Sequence, residues 1–175
     1  RDPELIYLLK HARTCLKQYN DTRVDEAMAR RELLGQLLGY CGDAVWIEPP
    51  FQCDFGAQIS LGDRVFLNFN CVILDANRVE IGADTVIGPG VHIYATDHPT
   101  SAKERLVTEG DATRYLVTSK PVVIGPRCWI GGGAILTAGV TIGAETTIGA
   151  GSVVTEPIPE GVLAAGNPCR VIRSL

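Results

Sequence analysis

Aliphatic residues recur at every sixth position over most of this chain. The clearest run consists of Ile124, Ile130, Leu136, Ile142, Ile148 and Val154. Small or short side chains form a second column four positions after the first five of these: Cys128, Ala134, Val140, Thr146 and Ser152. The same phase occurs upstream at Leu61, Leu67 and Ile73 and, after a slip of two residues, at Ile81, Ile87 and Ile93. Two columns of side chains run in step, which is typical of a repeat architecture.

A unit of six residues is too short for a helical repeat, but it fits a short strand followed by a tight turn. Three units make a coil of about eighteen residues, and stacked coils place the aliphatic column inside a triangular prism. The pattern predicts an all-β domain, a parallel β-helix, over residues 41–175. The alternative is an unrelated β-sandwich whose aliphatic residues fall in register by chance, and sustained periodicity argues against it.

A different periodicity precedes the repeats. Two segments have apolar residues at helical spacing: Leu5, Leu8, Leu9, Ala12, Leu16 and Tyr19, then Ala27, Met28, Leu34, Leu37 and Leu38. Residues 20–22 supply turn and N-cap chemistry between the segments, and Gly39 suits the position just past the second helix. Residues 1–40 are therefore expected to form an N-terminal helical hairpin with a packing role.

The repeat is interrupted once, over residues 94–121. This insertion contains Asp97, His98 and Pro99, several charged residues and few apolar ones, so it cannot form a wall of the prism and is expected to project from it. Loops of this length in compact domains are usually functional or disordered.

Composition and charge narrow the function classes. The chain has 175 residues, 46% of them hydrophobic, and a net charge of −4 without a block of like charges, which disfavours a nucleic-acid partner. No apolar stretch is long enough to span a membrane, and no signal pattern opens the chain. The six cysteines form no C-x-x-C pair and no zinc-like cluster. We expect a soluble cytoplasmic protein with reduced thiols and no metal.

Several motifs together resemble one family, the hexapeptide-repeat acyltransferases, and within it the maltose/galactoside O-acetyltransferase group, which includes nodulation acetyltransferases. The motifs are Trp46-Ile47-Glu48-Pro49-Pro50, Asn68-Phe69-Asn70, Asp75, His98-Pro99, Trp129-Ile130-Gly131-Gly132 and the ending from Ala164 to Ile172. The resemblance covers nearly the whole chain. It implies a left-handed β-helix and a homotrimer with active sites between neighbouring subunits.

The resemblance implies transfer of an acetyl group from acetyl-CoA to a sugar hydroxyl. A hydroxyl is a poor nucleophile at neutral pH, so a base must take its proton as it attacks the thioester carbonyl. His98 is the candidate base, because imidazole accepts a proton near neutral pH and can return it to the leaving thiolate. His11, in the helical hairpin, and His92, within a coil, are interpreted as structural.

On the acceptor side, the resemblance places Asn68 near the base and makes Asp75 and Asp54 candidates for binding sugar hydroxyls. Amide and carboxylate oxygens suit such hydroxyls. Asn68 could instead form an amide ladder at a coil corner, and Asp54 could serve only in the turn before Gly56. Relatives often have a second acid directly after Asp75, where this chain has Ala76.

The resemblance also implies the groups that hold acetyl-CoA. The pantetheine arm is expected to pass Gly132, Ala150 and Thr155, and the Gly132 N–H is a candidate oxyanion donor. Arg170 and Arg173 would face the phosphates, unless they are solvated surface charges. Glu156 follows Thr155 where relatives usually have Lys, and its carboxylate would repel phosphate. Trp129 would pack near the active site or stand as an ordinary aromatic on a coil wall.

The insertion is longer than expected for the sugar acetyltransferases, so Arg105, Arg114 and Tyr115 could line an altered acceptor pocket. Xenobiotic and serine O-acetyltransferases share the repeats, but the helical hairpin joined to residues 46–50 favours the maltose/galactoside group. A γ-class carbonic anhydrase needs three histidines on zinc. Only His92 and His98 are near one another in this sequence, and His11 lies in the helical hairpin, which argues against a zinc site. A non-catalytic β-helix scaffold would give His98 no special role.

Overall fold

Two helices precede a long series of short strands. The computed structural model describes residues 2–175. In chain order its elements are α1 (Pro3–Asn20), α2 (Ala27–Leu37), β1 (Tyr40–Cys41), β2 (Trp46–Ile47), β3 (Phe51–Cys53), β4 (Ile59–Leu61), β5 (Phe66–Leu67), β6 (Cys71–Leu74), β7 (Val79–Ile81), β8 (Val86–Ile87), β9 (His92–Tyr94), β10 (Thr96–Asp97), α3 (Ala102–Arg105), β11 (Leu106–Glu109), β12 (Ala112–Tyr115), β13 (Thr118–Ser119), β14 (Val122–Ile124), β15 (Trp129–Ile130), β16 (Ile135–Leu136), β17 (Thr141–Ile142), β18 (Thr147–Ile148), β19 (Val153–Val154), β20 (Val162–Ala165) and β21 (Arg170–Ser174).

Three sheets of stacked parallel strands form the walls of a prism. Sheet A contains β1, β4, β7, β14 and β17, sheet C contains β3, β6, β9, β16 and β19, and sheet B contains β2, β5, β8, β15, β18 and β20. Strand β21 pairs antiparallel with β20 at the C-terminal end of sheet B. The chain visits A, B and C in turn, so the prism has an A–B edge, a B–C edge and a C–A edge.

The predicted aliphatic column forms the core of the prism. In sheet B, the Cα register runs from Ile47 through Leu67 and Ile87 to Ile130 and Ile148. Every aliphatic residue predicted in the six-residue phase is at most 2% exposed. The column of short side chains is buried too. The pattern therefore identified the inward-facing positions correctly.

The stack begins one coil earlier than the phase read from Leu61. Strands β1, β2 and β3 form a first coil, whose residues Cys41, Ile47 and Cys53 keep the six-residue spacing. Cysteine acts as a small hydrophobic residue in such positions. Because two of the three positions hold cysteine, a search for aliphatic residues alone does not detect this coil.

The helices α1 and α2 pack against this first coil. The Tyr19 hydroxyl donates to the backbone oxygen of Ile47 at 2.6 Å, and burial raises the pKa of Tyr19 to about 12. The Asn20 side chain donates to the Phe51 carbonyl and accepts from the Phe51 N–H, both at 2.9 Å. This two-way pairing ties the end of α1 to β3.

Two local expectations for the hairpin need correction. Helix α2 begins at Ala27, and Thr22 donates to the Tyr19 carbonyl instead of capping it. Gly39 lies past α2 but does not have a positive φ, and a Cβ at that position would collide with the backbone oxygen of Ala57. Close approach of two backbones, not a left-handed cap, requires glycine there.

Residues in the left-handed region turn the chain at all three edges of the prism, with Gly56 and Gly139 at the C–A edge. At the A–B edge these are Ala44, Arg64, Asp84, Arg127, Glu145 and Gly161, with φ between 54° and 64°. At the B–C edge they are Asn70, Gly90, Gly133 and Gly151, with φ between 61° and 69°. Four of these residues at the A–B edge are charged, whereas glycine predominates at the B–C edge, which we call the bare edge.

The insertion leaves the prism at the C–A edge after Ala95, which is still fully buried. Strands β10 and β13 pair antiparallel at its base, and β11 and β12 form a hairpin beyond α3. The stack resumes with Val122 in register with Val79 and Ile124 with Ile81, as if no residues intervened. The insertion is therefore an ordered projection that does not disturb the core.

Candidate active site

His98 lies at the base of the insertion, directly after β10. Its backbone N–H donates to the Asp97 carboxylate at 2.7 Å, and its ring Nδ1 lies 2.7 Å from the carbonyl oxygen of Leu116. A carbonyl oxygen can only accept, so Nδ1 must carry the proton and the neutral ring has its lone pair on Nε2. The exposed imidazole is thus held in the form that a general base requires.

Asp75 is fully buried at the C–A edge. Its carboxylate accepts from the backbone N–H groups of Asp54, Phe55 and Gln58, at 3.0, 2.8 and 3.3 Å. Desolvation raises the pKa of Asp75, and the backbone donors oppose that shift. The expected acceptor contact does not fit this placement in the subunit, because the carboxylate is committed to holding the turn over residues 54–58.

Asp54 stands at the start of that turn and is half-buried. Burial raises its pKa, and the positive charge of Arg13 on α1 opposes the shift. Its side chain lies half-buried at the C–A edge, in the turn that the Asp75 carboxylate holds.

A groove that the sequence did not reveal lies beside Asp54. Phe55, the N-cap residue Asp2 and the α1 residues Leu5, Ile6 and Leu9 line this cavity of about 370 Å³. Leu5, at the start of α1, is an apolar residue that is 51% exposed, so it does not belong to the core of the hairpin. The helical spacing alone predicts Leu5 and Leu9 on the packing face of the hairpin, whereas the structure leaves both at its surface.

Asn68, Gly132 and Ala150 lie along the B–C edge, in the turns that follow β5, β15 and β18. Asn68 is half-buried, and its side-chain oxygen accepts from the Phe69 N–H at 2.8 Å. This local contact is not an amide ladder. Among the hydrogen bonds of residues 2–175, none uses the backbone N–H of Gly132 or Ala150.

The C-terminal coil carries most of the remaining predicted cofactor residues. Thr155 is exposed, and Glu156 and Arg170 line a shallow cavity of about 340 Å³ together with Cys169. Arg173 is exposed on β21. Trp129 is 58% exposed on the outer surface of sheet B, next to the B–C edge.

The three residues singled out in the insertion do not share a pocket in the subunit. Arg105 donates to the backbone oxygens of Pro99 and Thr100, at 3.1 and 3.4 Å. Arg114 pairs with Glu109 at 2.6 Å across the hairpin, and Tyr115 is 68% exposed.

The two other histidines have partners elsewhere. His11 bonds through Nε2 to the backbone oxygen of Gln36 at 2.9 Å, and the His92 ring bonds to the Tyr94 hydroxyl on sheet C. Over residues 2–175 no group of three His, Cys, Asp or Glu side chains could hold a metal ion. All six cysteines are free, and burial raises the pKa of each thiol.

The candidate residues fall into two groups at different edges of the prism. His98, Asp54 and Asp75 belong to the C–A edge, and Asn68, Gly132 and Ala150 belong to the B–C edge. Sheet C lies between the two edges. A single subunit therefore does not bring the predicted base and the predicted backbone donors to one side of the molecule.

Comparison with known proteins decides the family. A model of bacterial transferase hexapeptide repeats matches residues 121–156, and one of the maltose acetyltransferase hexapeptide capping motif matches residues 1–42. Nodulation protein L of Rhizobium meliloti is 46% identical over 170 residues, which cover 97% of this chain and 89% of that protein. Galactoside O-acetyltransferase of Escherichia coli is 37% identical over 163 residues, 93% of this chain and 77% of that one. The chain belongs to the hexapeptide-repeat acetyltransferases, in the maltose/galactoside group.

The structure of this acetyltransferase agrees with that membership. It matches a hexapeptide-repeat acetyltransferase from Vibrio cholerae, complexed with acetyl coenzyme A, with a TM-score of 0.89 and 36% identity over 99% of this chain and 90% of that one. The expectation of a left-handed parallel β-helix is confirmed. No helix within residues 2–175 of the acetyltransferase is long and apolar enough to cross a membrane.

Proposed function

We propose that this protein transfers the acetyl group of acetyl-CoA to a sugar hydroxyl, with His98 as the general base. The observation that carries the proposal is the hydrogen bond from His98 Nδ1 to the Leu116 carbonyl, which leaves Nε2 as the proton acceptor. The acceptor hydroxyl gives its proton to Nε2 as its oxygen attacks the thioester carbonyl. His98 then returns the proton to the departing thiolate of CoA, so the base is regenerated.

The backbone N–H of Gly132 is assigned to the negative charge that develops on the thioester oxygen. It has no hydrogen-bond acceptor among the contacts of residues 2–175, and Gly132 is half-buried. A preformed donor of this kind stabilises a transition state by several kcal/mol, typically about 3.

Acetyl-CoA is assigned to the B–C edge. A Cβ at Gly90, Gly133 or Gly151 would meet nothing within 4 Å, so the subunit itself leaves open space along this edge. The pantetheine arm would pass Gly132, Ala150 and Thr155, with Trp129 beside it and the phosphates towards Arg170 and Arg173. Glu156 shares the cavity beside Arg170 and would reduce the positive potential there.

On the acceptor side we assign hydroxyl contacts to Asp54 and Asn68, and a supporting role to Asp75. The groove between Phe55 and α1 offers an apolar face next to the Asp54 carboxylate. An aromatic ring beside a carboxylate suits a sugar, which has apolar faces and polar edges.

A homotrimer would join the two groups of residues. In a ring of identical subunits each interface is heterologous, so one edge of a subunit meets a different edge of its neighbour. The C–A edge with His98 could then face the B–C edge of the next subunit.

Six free thiols are consistent with the reducing cytoplasm, where we place the protein.

The test is release of CoA thiol from acetyl-CoA with a panel of maltose, galactosides, glucose, serine and chloramphenicol. Release that needs a sugar, and that falls by about a hundredfold or more in His98→Ala, is expected. His11→Ala is the matched control, because His11 also bonds to a backbone carbonyl but lies on α1. Its turnover should equal that of the wild type.

Other outcomes would redirect the proposal. Release with only serine or chloramphenicol would assign a different acceptor class. No release with any acceptor, and no calorimetric binding of CoA, would favour a scaffold. Light scattering should give three times the 18.8 kDa chain mass at micromolar concentration, and a monomer would contradict a shared site.

A further inference from the structure

Arg105 is unusual among the residues of the insertion because it is half-buried. Between Ser101 and Lys120, Arg105 and Val107 are half-buried and all other residues are exposed. A long cationic side chain on a projecting loop is normally solvated, so a half-buried one needs a structural reason.

Its guanidinium group holds the turn directly after His98. One terminal nitrogen donates to the backbone oxygens of Pro99 and Thr100, at 3.1 and 3.4 Å. These are the next two residues after His98 in the chain. A charged donor makes stronger hydrogen bonds to carbonyl oxygens than a neutral one does.

The backbone of Arg105 holds the other side of the same turn. The Leu116 N–H donates to the Arg105 carbonyl at 2.7 Å, and the Leu116 carbonyl is the acceptor for His98 Nδ1. The contacts therefore form a closed circuit from His98 through Pro99 and Thr100 to Arg105, then through Leu116 back to the imidazole ring.

We propose that Arg105 is a positioning residue that fixes the His98 ring by joining the turn after it to the carbonyl that orients it. The proposal rests on the proposed role of His98 as the base. Without the guanidinium, the Pro99 and Thr100 carbonyls lose their shared donor, and the turn is free to move relative to Leu116. The imidazole then loses its fixed orientation and its fixed tautomer.

The kinetic test compares Arg105→Ala with Arg114→Ala. Arg114 is the matched control, since it lies in the same insertion but pairs with Glu109 away from His98. Arg105→Ala should lower kcat by about 10- to 100-fold, because small misplacement of a reacting group has effects of that size. KM for acetyl-CoA should stay within about twofold, and Arg114→Ala should retain wild-type kcat.

Two further variants separate positioning from other roles. Arg105→Lys, a point charge on a flexible stem, should recover part of the lost kcat. In a His98→Ala background, Arg105→Ala should cause no additional loss, because both changes remove the same function. An equal further loss, or an effect confined to KM, would overturn the proposal.

A spectroscopic readout is independent of catalysis. In protein labelled with ¹⁵N-histidine, the ring nitrogens of His98, identified by their absence in His98→Asn, should show a proton fixed on Nδ1 at a pH where the ring is neutral. Arg105→Ala should give a mixture of tautomers, and Arg114→Ala should not. An unchanged tautomer in Arg105→Ala would overturn the proposal even if the wild type transferred no acetyl group.

Discussion

The A–B and B–C edges of the prism turn the chain with the same left-handed backbone conformation, yet their side chains differ. Arg127 and Glu145 at the A–B edge have φ of 56°, and Gly133 and Gly151 at the B–C edge have φ of 69° and 68°. A left-handed φ favours glycine over other residues by about 1 kcal/mol. Four charged residues nevertheless adopt this conformation at the A–B edge.

Backbone conformation alone therefore does not explain the bare edge. At Gly90, Gly133 and Gly151 a Cβ would meet nothing within 4 Å, so packing inside the subunit does not require glycine there either. The simplest physical reason is that something outside the subunit approaches the backbone at this edge. A bound acyl donor or a neighbouring subunit both meet that description.

The first expected effect, on binding and assembly, comes from adding a side chain to the bare edge. Gly151→Asn should weaken acetyl-CoA binding or trimer assembly by at least about tenfold, because the new side chain occupies the space assigned to the ligand or neighbour. Gly161→Asn is the matched control, since Gly161 has φ of 64°, open space around its Cβ and a place at the A–B edge. KM for acetyl-CoA and the mass by light scattering are the measurements.

Asparagine tolerates the left-handed region, so both variants should lose less than about 1 kcal/mol of stability. If Gly151→Asn kept wild-type KM and mass, the contrast between the two edges would have no functional meaning.

The second effect concerns a carboxylate at the C–A edge. Asp75→Ala should reduce the free energy of unfolding by about 3 kcal/mol, because three backbone N–H groups lose their acceptor in a buried turn. Asp63 at the A–B edge is half-buried and accepts one backbone N–H, from Asp43 at 2.8 Å. Asp63→Ala should cost less than about 1.5 kcal/mol in the same urea titration. Equal losses would show that burial of Asp75 adds nothing.

The smallest effect belongs to the charged edge itself. Arg127 and Glu145 pair at 2.6 Å, but their side chains are 56% and 61% exposed. A double-mutant cycle with Arg127→Ala and Glu145→Ala should give a coupling below about 1 kcal/mol that shrinks as salt is added. A coupling well above that, or one insensitive to salt, would make this edge a major source of stability.

The inward positions of the fold could be predicted because burial selects side chains directly. Every coil needs an aliphatic residue at the same place in each wall, so the spacing is visible in the chain. The first coil was harder to recognise, because Cys41 and Cys53 fill aliphatic positions. The hairpin β11–β12 also had a signal, in the Gly110-Asp111 turn between segments of mixed polarity.

The site was less predictable, because backbone atoms carry much of it. His98 stood out as a histidine in a polar insertion, but its partner is a carbonyl eighteen residues away, and any residue at position 116 supplies one. The resemblance makes Asp75 a candidate for binding sugar hydroxyls, but the sequence does not show that residues 54–58 fold over its carboxylate. The split between two edges depends on the order of the sheets, which residue spacing alone does not reveal.

The register across the insertion has a further consequence for how such enzymes diversify. Val79 pairs with Ile59, twenty residues earlier in the chain, and with Val122, more than forty residues later. Both pairings are regular parallel strand contacts, so the inserted residues do not alter the register. Mutations, lengthening or replacement of the inserted segment can therefore be sampled without weakening the stack of coils. A solenoid with one such exchangeable segment can vary the segment while its scaffold stays constant, provided that His98, the proposed base where the segment begins, keeps its place.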